Sequence, residues 1–446
     1  MAETIKIKKG LNINLLGKAQ HKITEVKPDD FALKPTDFNG VFPRLLVKEG
    51  DKVKAGTAIF CDKYRDEIVF TSPVSGKVAE IKRGDKRVLL EICIQADPET
   101  AYEDFGKQEA ASLDREELVK KMLQSGVWPM VRQRPYNVIA NPADTPDAIF
   151  ISGFDSAPLA PDYGFTLKDE LAQFQAGINV LARLTKGNVH IGIPEAGHPL
   201  AGIKNAEITC FEGPHPAGNI GIQIHHIRPI NKGDIIWTVN PQDVVIIGRL
   251  FTRGVYDATI TIALAGSEVK DPHYFRTLKG VSVKKLLGDD AKNSDVRIIS
   301  GNVLTGTKIN HNGYLGFYHH HFTLIPEGNY FEFFGWALPG LKKFSFSKTF
   351  FSWAHGKREY QLDTNLHGGV RSYVMTGIYE KVLPMDVLPM QLIKACLIED
   401  IELMEKLGIY EVDEEDFALV EFIDTSKTEI QSIIRKGIDL VRKEMS

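Results

Sequence analysis

Two glycine-punctuated stretches constrain the N-terminal part of this chain more than any other feature. The first is Val47-Lys48-Glu49-Gly50-Asp51-Lys52-Val53-Lys54-Ala55-Gly56, and the second is Ser72-Pro73-Val74-Ser75-Gly76-Lys77-Val78. Residues 41–96 alternate apolar and polar side chains, with turns at Glu49-Gly50-Asp51 and Arg83-Gly84-Asp85. Alternation broken by such turns predicts short strands and hairpins that close into a small β-barrel.

The pattern resembles the barrel that carries biotin or lipoate on a lysine at a hairpin tip. In that pattern the modified lysine stands eight residues before the proline of Ser72-Pro73, and Arg65 occupies the place here. A guanidinium stays charged and non-nucleophilic, so it cannot form a biotinyl or lipoyl amide. The carrier fold is expected without its carrier chemistry.

A chain of 446 residues is too long for one core and predicts three or four domains. Apolar residues make up 43% and charged residues 25%, as in water-soluble globular proteins. The net charge of −4, with both signs mixed, argues against a nucleic-acid partner. No apolar run reaches the length of a membrane span, and the start lacks the apolar core of a signal peptide, so a cytoplasmic location is expected. Cys61, Cys93, Cys210 and Cys396 are far apart, which excludes Cys-x-x-Cys motifs and local iron–sulfur spacing. They are expected to be buried thiols.

The predicted organisation has mixed α/β and α+β character in four parts. Residues 1–111 form an N-terminal arm and the biotinyl/lipoyl-like barrel, with the arm wrapping the barrel. Residues 112–254 alternate strands such as Ala148–Ser152 with helical stretches such as Leu167–Leu184, which predicts a Rossmann-like domain. Its first helix is expected to be capped by Ser112 and to stop at Ser125-Gly126. Residues 255–345 return to strands (258–264, 296–300, 316–324) with one short helix, the pattern of a β-grasp (SLBB-like) domain. Residues 346–446 are expected to be a helical domain without an iron–sulfur cluster, with Ser426 and Glu429 as a capping box for the last helix.

Candidate chemistry is sparse. The loop Gln124-Ser125-Gly126-Val127-Trp128-Pro129 stands where a phosphate-binding loop needs several glycines, and it has one followed by bulky residues. It reads as a filled site, and no Gly-x-x-x-x-Gly-Lys-Ser/Thr loop occurs elsewhere. His319-His320-His321 and His225-His226 raise a metal reading, but no Glu or Cys accompanies them at ligand spacing. His198 and His215 sit on Gly/Pro loops and are expected to hydrogen-bond as neutral imidazoles. No Gly-x-Ser-x-Gly elbow is present. The carboxylates Asp413-Glu414-Glu415-Asp416 fit a helix start and need no catalytic role. No catalytic, cofactor-binding or metal-binding residue is therefore assigned. Residues 314–353 concentrate aromatics, and the part around Phe333, Phe334, Trp336, Pro339 and Phe344 lacks core periodicity. That part is the candidate apolar ligand pocket or protein interface.

Longer motifs carry a resemblance. Gly213-Pro214-His215-Pro216-Ala217-Gly218-Asn219, Ile325-Pro326-Glu327-Gly328 with Phe334-Gly335-Trp336, Pro384-Met385-Asp386-Val387-Leu388-Pro389, and the opening Ile5-Lys6-Ile7-Lys8-Lys9-Gly10-Leu11-Asn12 occur along the chain. Together they resemble the NqrA family, the A subunits of the bacterial sodium-translocating NADH:quinone reductase. That family is similar to the C subunit of the Rnf complex and to the flavin-binding subunit of respiratory complex I. The resemblance implies a subunit without its own redox cofactor, in a complex whose other subunits use NADH, flavins, iron–sulfur centres and quinone. It implies docking on the cytoplasmic face of the inner membrane, against a membrane-embedded partner, with ubiquinone or menaquinone as a possible ligand. Relatives often keep a cysteine pair at places matching Val420 and Asp424, which this chain lacks. The alternatives are a stand-alone flavin/NADH oxidoreductase and a pure assembly scaffold.

Overall fold

The computed structural model describes every residue except 1, 2, 289, 294, 336, 357, 375, 376 and 446. The alternating stretch over the barrel region closes as expected into two facing sheets. One runs in the order Asp30–Leu33, Leu89–Ala96, Gly76–Arg83, Lys52–Val53, and the other places Ala58–Asp62 between Pro43–Leu45 and Val69–Thr71. Their inward residues, among them Phe31, Phe60, Phe70, Val78, Ile92 and Ile94, are fully buried. The Phe60 and Phe70 rings stack with centroids 4.3 Å apart, so the strand alternation gathers an aromatic core.

The barrel is joined to the next domain through the helix Arg115–Ser125. Asp114, not Ser112, caps this helix in a capping box with Glu117. Ser112 is removed from that role because a 3-10 turn, Ala110–Ser112, precedes the helix and its hydroxyl donates to Glu109 O. The helix ends as expected at Gly126, whose φ of +75° is left-handed. A Cβ added there would lie 2.2 Å from Thr71 Oγ1 on the barrel, so only glycine permits this approach. Trp128 follows, fully buried, with its Nε1–H donated to Ala140 O at 2.8 Å and its ring edge-on to Trp237.

The second region is a seven-stranded sheet in the order Glu3–Lys6, Glu207–Glu212, Val189–Ile193, Ala148–Ser152, Ile236–Val239, Val131–Arg134, Val138–Ile139. The first five are parallel, and the last two pairings are antiparallel. Strands such as Ala148–Ser152 and Ile236–Val239 are almost wholly buried, because the helices Leu171–Leu181 and Pro241–Arg253 and neighbouring segments cover the sheet.

A third sheet runs Thr307–Ile309, Val296–Ser300, His321–Pro326, Thr259–Ala265, His273–Leu278, Gln20–Glu25, with the short helix Val283–Leu287 beside it. The strand expected over 316–324 begins later, at His321, because Phe317 and Tyr318 turn away to other partners. The C-terminal helices are Pro389–Leu397, Ile401–Lys406, Ala418–Ile423 and Ile430–Met445. Between 346 and 388 the described residues form only two 3-10 turns, Phe351–His355 and Tyr379–Lys381, so this stretch is not helical as expected. Ser426 does not cap the last helix, since its hydroxyl donates to Ser372 O.

The N-terminal arm, expected to wrap the barrel, pairs with it through Asp30–Leu33, while its two earlier strands pair elsewhere. Glu3–Lys6 adds a parallel strand to the edge of the seven-stranded sheet, and Gln20–Glu25 does the same for the six-stranded one. Edge strands expose unpaired N–H and C=O groups, and the arm satisfies them.

Trp128 joins the barrel-side helix to the α/β sheet. Trp128→Ala is expected to lower stability by about 3–5 kcal/mol, measured by urea unfolding.

Candidate functional site

In open α/β sheets, ligands bind beyond the carboxyl ends of the strands where the strand order reverses. Here the chain moves outward from Ala148–Ser152 to Val189–Ile193 and Glu207–Glu212, then returns to place Ile236–Val239 on the other side of Ala148–Ser152. Asp155 follows the first of these strands and Asn240 follows the last. Both line a cavity of about 350 Å³ at that reversal. Its other walls come from all remaining parts of the fold. Asp37 and Asn39 come from the barrel side, His319, His320 and His321 from the six-stranded sheet, and Asp413, Glu414 and Glu415 from the C-terminal helices.

Each wall is fixed by local structure. The strand Val131–Arg134 carries Arg132 and Arg134 on one face, two residues apart. Arg132 lines the cavity with its guanidinium over the Tyr318 ring, 4.8 Å from the centroid. The Tyr318 hydroxyl donates to Pro129 O at 2.7 Å, which holds that ring in place. Asp37 accepts from Phe317 N at 2.8 Å and pairs with Lys34. Asp155 accepts from Ala157 N at 2.8 Å.

Arg134 is buried and binds the C-terminal domain. Its Nη2 lies 3.0 Å from Asp413 Oδ2 and its Nη1 3.7 Å from Asp416 Oδ2. Asn137 Nδ2 donates to Asp413 Oδ2 at 2.6 Å. Arg435 reaches from the last helix to Glu414 at 3.1 Å and to Tyr136 O at 2.9 Å. Asp413 and Asp416 also form a capping box for the turn Glu414–Phe417. The run read from sequence as a helix start is therefore both a helix start and a buried ion network. Gly221 is required beside it, because a Cβ there would sit 2.4 Å from Asp416 Oδ1.

The charge states follow from burial and neighbours. Burial opposes ionisation of Asp413, but Arg134 beside it holds its pKa below the usual value. Burial, with Arg134 opposing and the Asp413 charge adding, pushes Asp416 up to about 7. Burial and the Asp413 charge push Glu414 up to about 9. Burial also raises Asp155 and Glu415. It lowers His319 to about 3 and His321 to about 4, and takes His320 well below the ordinary value. The three imidazoles are thus neutral. His319 Nδ1 pairs with Ser300 Oγ at 2.9 Å and His320 Nδ1 with Tyr163 Oη at 3.1 Å, while the Nε2 atoms of His320 and His321 are buried without a protein partner. Among the described residues, no group of three or more His, Cys, Asp or Glu is arranged to hold a metal ion. The cavity offers one guanidinium, the ionised Asp413, carboxyl groups whose pKa values burial raises, amides and neutral imidazoles. This arrangement suits a neutral, hydrogen-bonding ligand better than a phosphate-bearing one.

The residues singled out from sequence lie elsewhere. Arg65 sits in the hairpin between Ala58–Asp62 and Val69–Thr71, bonded to Asp62 Oδ2 at 3.3 Å and to Ile139 O at 3.5 Å. Phe333, Phe334 and Pro339 are exposed, whereas Phe344 packs on Tyr360 and Phe422. Trp336 lies outside the described residues. None of these four described positions lines the junction cavity. His198 accepts from Leu200 N in its turn, and His215 pairs with Ser156 Oγ at 3.0 Å with its pKa lowered to about 4 by burial. His225 bonds Glu411 at 2.7 Å and so ties the helix Ile220–Ile227 to the C-terminal domain. All four cysteines are buried free thiols. Val420 is buried, and Asp424 accepts from Tyr379 Oη at 2.7 Å. Arg132, Asp155 and Asn240 were missed. The position of the last two just past buried strands was the available signal.

The fold and cavity define a multidomain α/β protein with a ligand-sized polar chamber at its domain junction. Family models match residues 5–97 as the NqrA N-terminal barrel-sandwich hybrid domain, residues 113–256 as the NqrA second alpha/beta domain, and residues 261–311 as the NQRA C-terminal domain. The chain is 38% identical over 446 residues to the A subunit of Na(+)-translocating NADH-quinone reductase from Yersinia pestis bv. Antiqua (strain Angola), covering 99% of this chain and 100% of that one. The same identity and coverage hold for the A subunits from Neisseria meningitidis (strain Z2491) and Hahella chejuensis (strain KCTC 2396). Among solved structures, an NAD+-reducing NiFe-hydrogenase in the air-oxidized state aligns with 75% of this chain and 62% of that chain at 12% identity, with a TM-score of 0.37, a likeness that carries no argument. The chain belongs to the NqrA family, the A subunits of Na(+)-translocating NADH-quinone reductase.

Two outcomes are expected of the ion network. Arg134→Met strands two buried carboxylates and is expected to cost about 3–5 kcal/mol in urea unfolding. Asp416 and Glu414 have raised folded-state pKa values, from 3.8 to about 7 and from 4.5 to about 9. Their contribution is full at acid pH and is lost as pH rises through those values. Unfolding curves are expected to show declining stability between about pH 7 and 9, above the range in which the buried neutral histidines contribute. Glu414→Gln should flatten that decline, whereas Asp416→Asn should alter the pH dependence chiefly below about pH 7.

Proposed function

We propose that this chain serves as the A subunit of a sodium-translocating NADH:quinone reductase, a complex that couples electron transfer from NADH to quinone to sodium export. Its full-length 38% identity to relatives of that name is the observation that carries this reading. None of its helices, among the described residues, is long and apolar enough to cross a membrane. A peripheral place on the cytoplasmic face, docked on a membrane-embedded partner, accords with that.

The chain is read as holding no redox cofactor of its own. The loop at Gly126 supports this, since Trp128 and the barrel's Thr71 occupy the space a phosphate-binding loop would leave open. The junction cavity is read as the receptor for a quinone headgroup. A quinone ring is neutral and presents two carbonyl acceptors. Arg132 and Asn240 supply donors, and Asp155 and Glu415, whose pKa values burial raises, become donors when protonated. The chain's own part is to bind and orient the ring, with electrons supplied by other subunits. The exposed aromatics around Phe333 carry the second reading, an interface that assembles the complex.

Tagged chain purified from solubilised membranes is expected to bring the other subunits with it and to be colourless when isolated. A yellow isolated chain, or one that oxidises NADH alone, would favour the flavin-enzyme reading. Titration with a short-chain ubiquinone is expected to saturate. Arg132→Ala should weaken it by about ten- to a hundred-fold, the worth of one charged hydrogen bond, without dissociating the complex.

A further inference from the structure

The long aromatic segment divides in two. Tyr314, Phe317 and Phe322 are buried, whereas beyond the strand His321–Pro326 the side chains turn outward. Phe331 is fully exposed, and Phe333 is 87% exposed. Leu338, Leu341, Phe351, Trp353 and Val370 are also exposed. Of the exposed large apolar side chains among the described residues, eleven of twenty-three fall between 330 and 374. That concentration in about a tenth of the chain is not the scatter expected of an ordinary surface.

The same stretch reverses the sign of the protein. Residues 328–374 hold six lysines and arginines against three acids, a net of +3, while the whole chain is −4. Lys342 and Lys348 are exposed in the same stretch, and Lys343 Nζ lies 5.3 Å from the Phe350 ring centroid. The base of the segment is fixed. Glu327 accepts from Arg297 at 2.9 Å, Lys308 at 2.7 Å and Thr364 at 3.0 Å. Phe344 packs on Tyr360 and Phe422 with centroids 5.4 and 5.6 Å away. The result is an anchored segment that exposes aromatic rings in a stretch of net positive charge.

Aromatic rings with lysines and arginines beside them are what the boundary of an anionic bilayer selects. The rings enter the headgroup layer, the cations pair with lipid phosphates, and the two signals together give stable attachment. An apolar protein groove would account for the rings and leave the excess positive charge unmatched. We infer that residues 330–374 form a membrane-contact arm that inserts its exposed rings into the headgroup layer of an anionic bilayer, held there by Lys342, Lys348 and their basic neighbours. The arm attaches the chain to lipid directly, in addition to any protein partner.

The test uses the full-length chain and flotation with vesicles. It is expected to float with phosphatidylcholine and phosphatidylglycerol mixed at about three to one and to lose binding as salt rises. It should not float with phosphatidylcholine alone. Phe331→Ser with Phe333→Ser, and separately Lys342→Glu with Lys348→Glu, should each weaken binding by about tenfold or more. All four positions are exposed, and unchanged thermal melting will confirm that both variants fold. Absence of flotation, or equal flotation of the variants, overturns the inference. So does protection of the same rings from hydroxyl-radical labelling in the lipid-free solubilised complex, which would assign the arm to a protein partner.

Discussion

The Arg134 pairing with Asp413 and Asp416 is the contact on which the arrangement of this molecule depends. It joins an internal strand of the seven-stranded sheet to the turn that starts the C-terminal helices. Charges withdrawn from water are costly, and only close partners make them tolerable. Here Asn137 and Arg435 add the further contacts that Asp413 needs. Because the network is specific in geometry, it sets where the C-terminal domain sits, and with it the acidic wall of the cavity.

That wall gives the cavity its character. The chamber is lined by three neutral histidines and carboxyl groups whose pKa values burial raises, together with Arg132 and the ionised Asp413. Its location follows the strand-reversal rule for α/β sheets, although the loop that elsewhere cradles phosphates is packed by Thr71 and Trp128. The geometry has kept the place and changed what it can receive.

Much of the fold was legible because it is local. The glycine turns pointed to the barrel hairpins, and the alternation of strands with helices identified the α/β region. What could not be read was set by distance along the chain. Glu3–Lys6 pairs with residues near 210 and Gln20–Glu25 with residues near 275, and neither strand carries a sign of its partner. The cavity was hidden for the same reason, since Asp37, Arg132, Asp155, His320 and Glu414 meet only in space. The acidic run was noticed and given its local meaning at a helix start, without the buried cations that complete it. The aromatic segment showed no period because half of it is core and half surface.

The pairing of the N-terminal arm has a consequence for biosynthesis. The first strands to leave the ribosome wait longest for a partner, since those partners are made about two hundred residues or more later. Until then the nascent chain holds two unmatched ribbons apart from the barrel, which completes itself early. Final closure of both larger sheets must therefore await synthesis of those distant partners, and a stalled, shortened product would display open sheet margins that invite clumping.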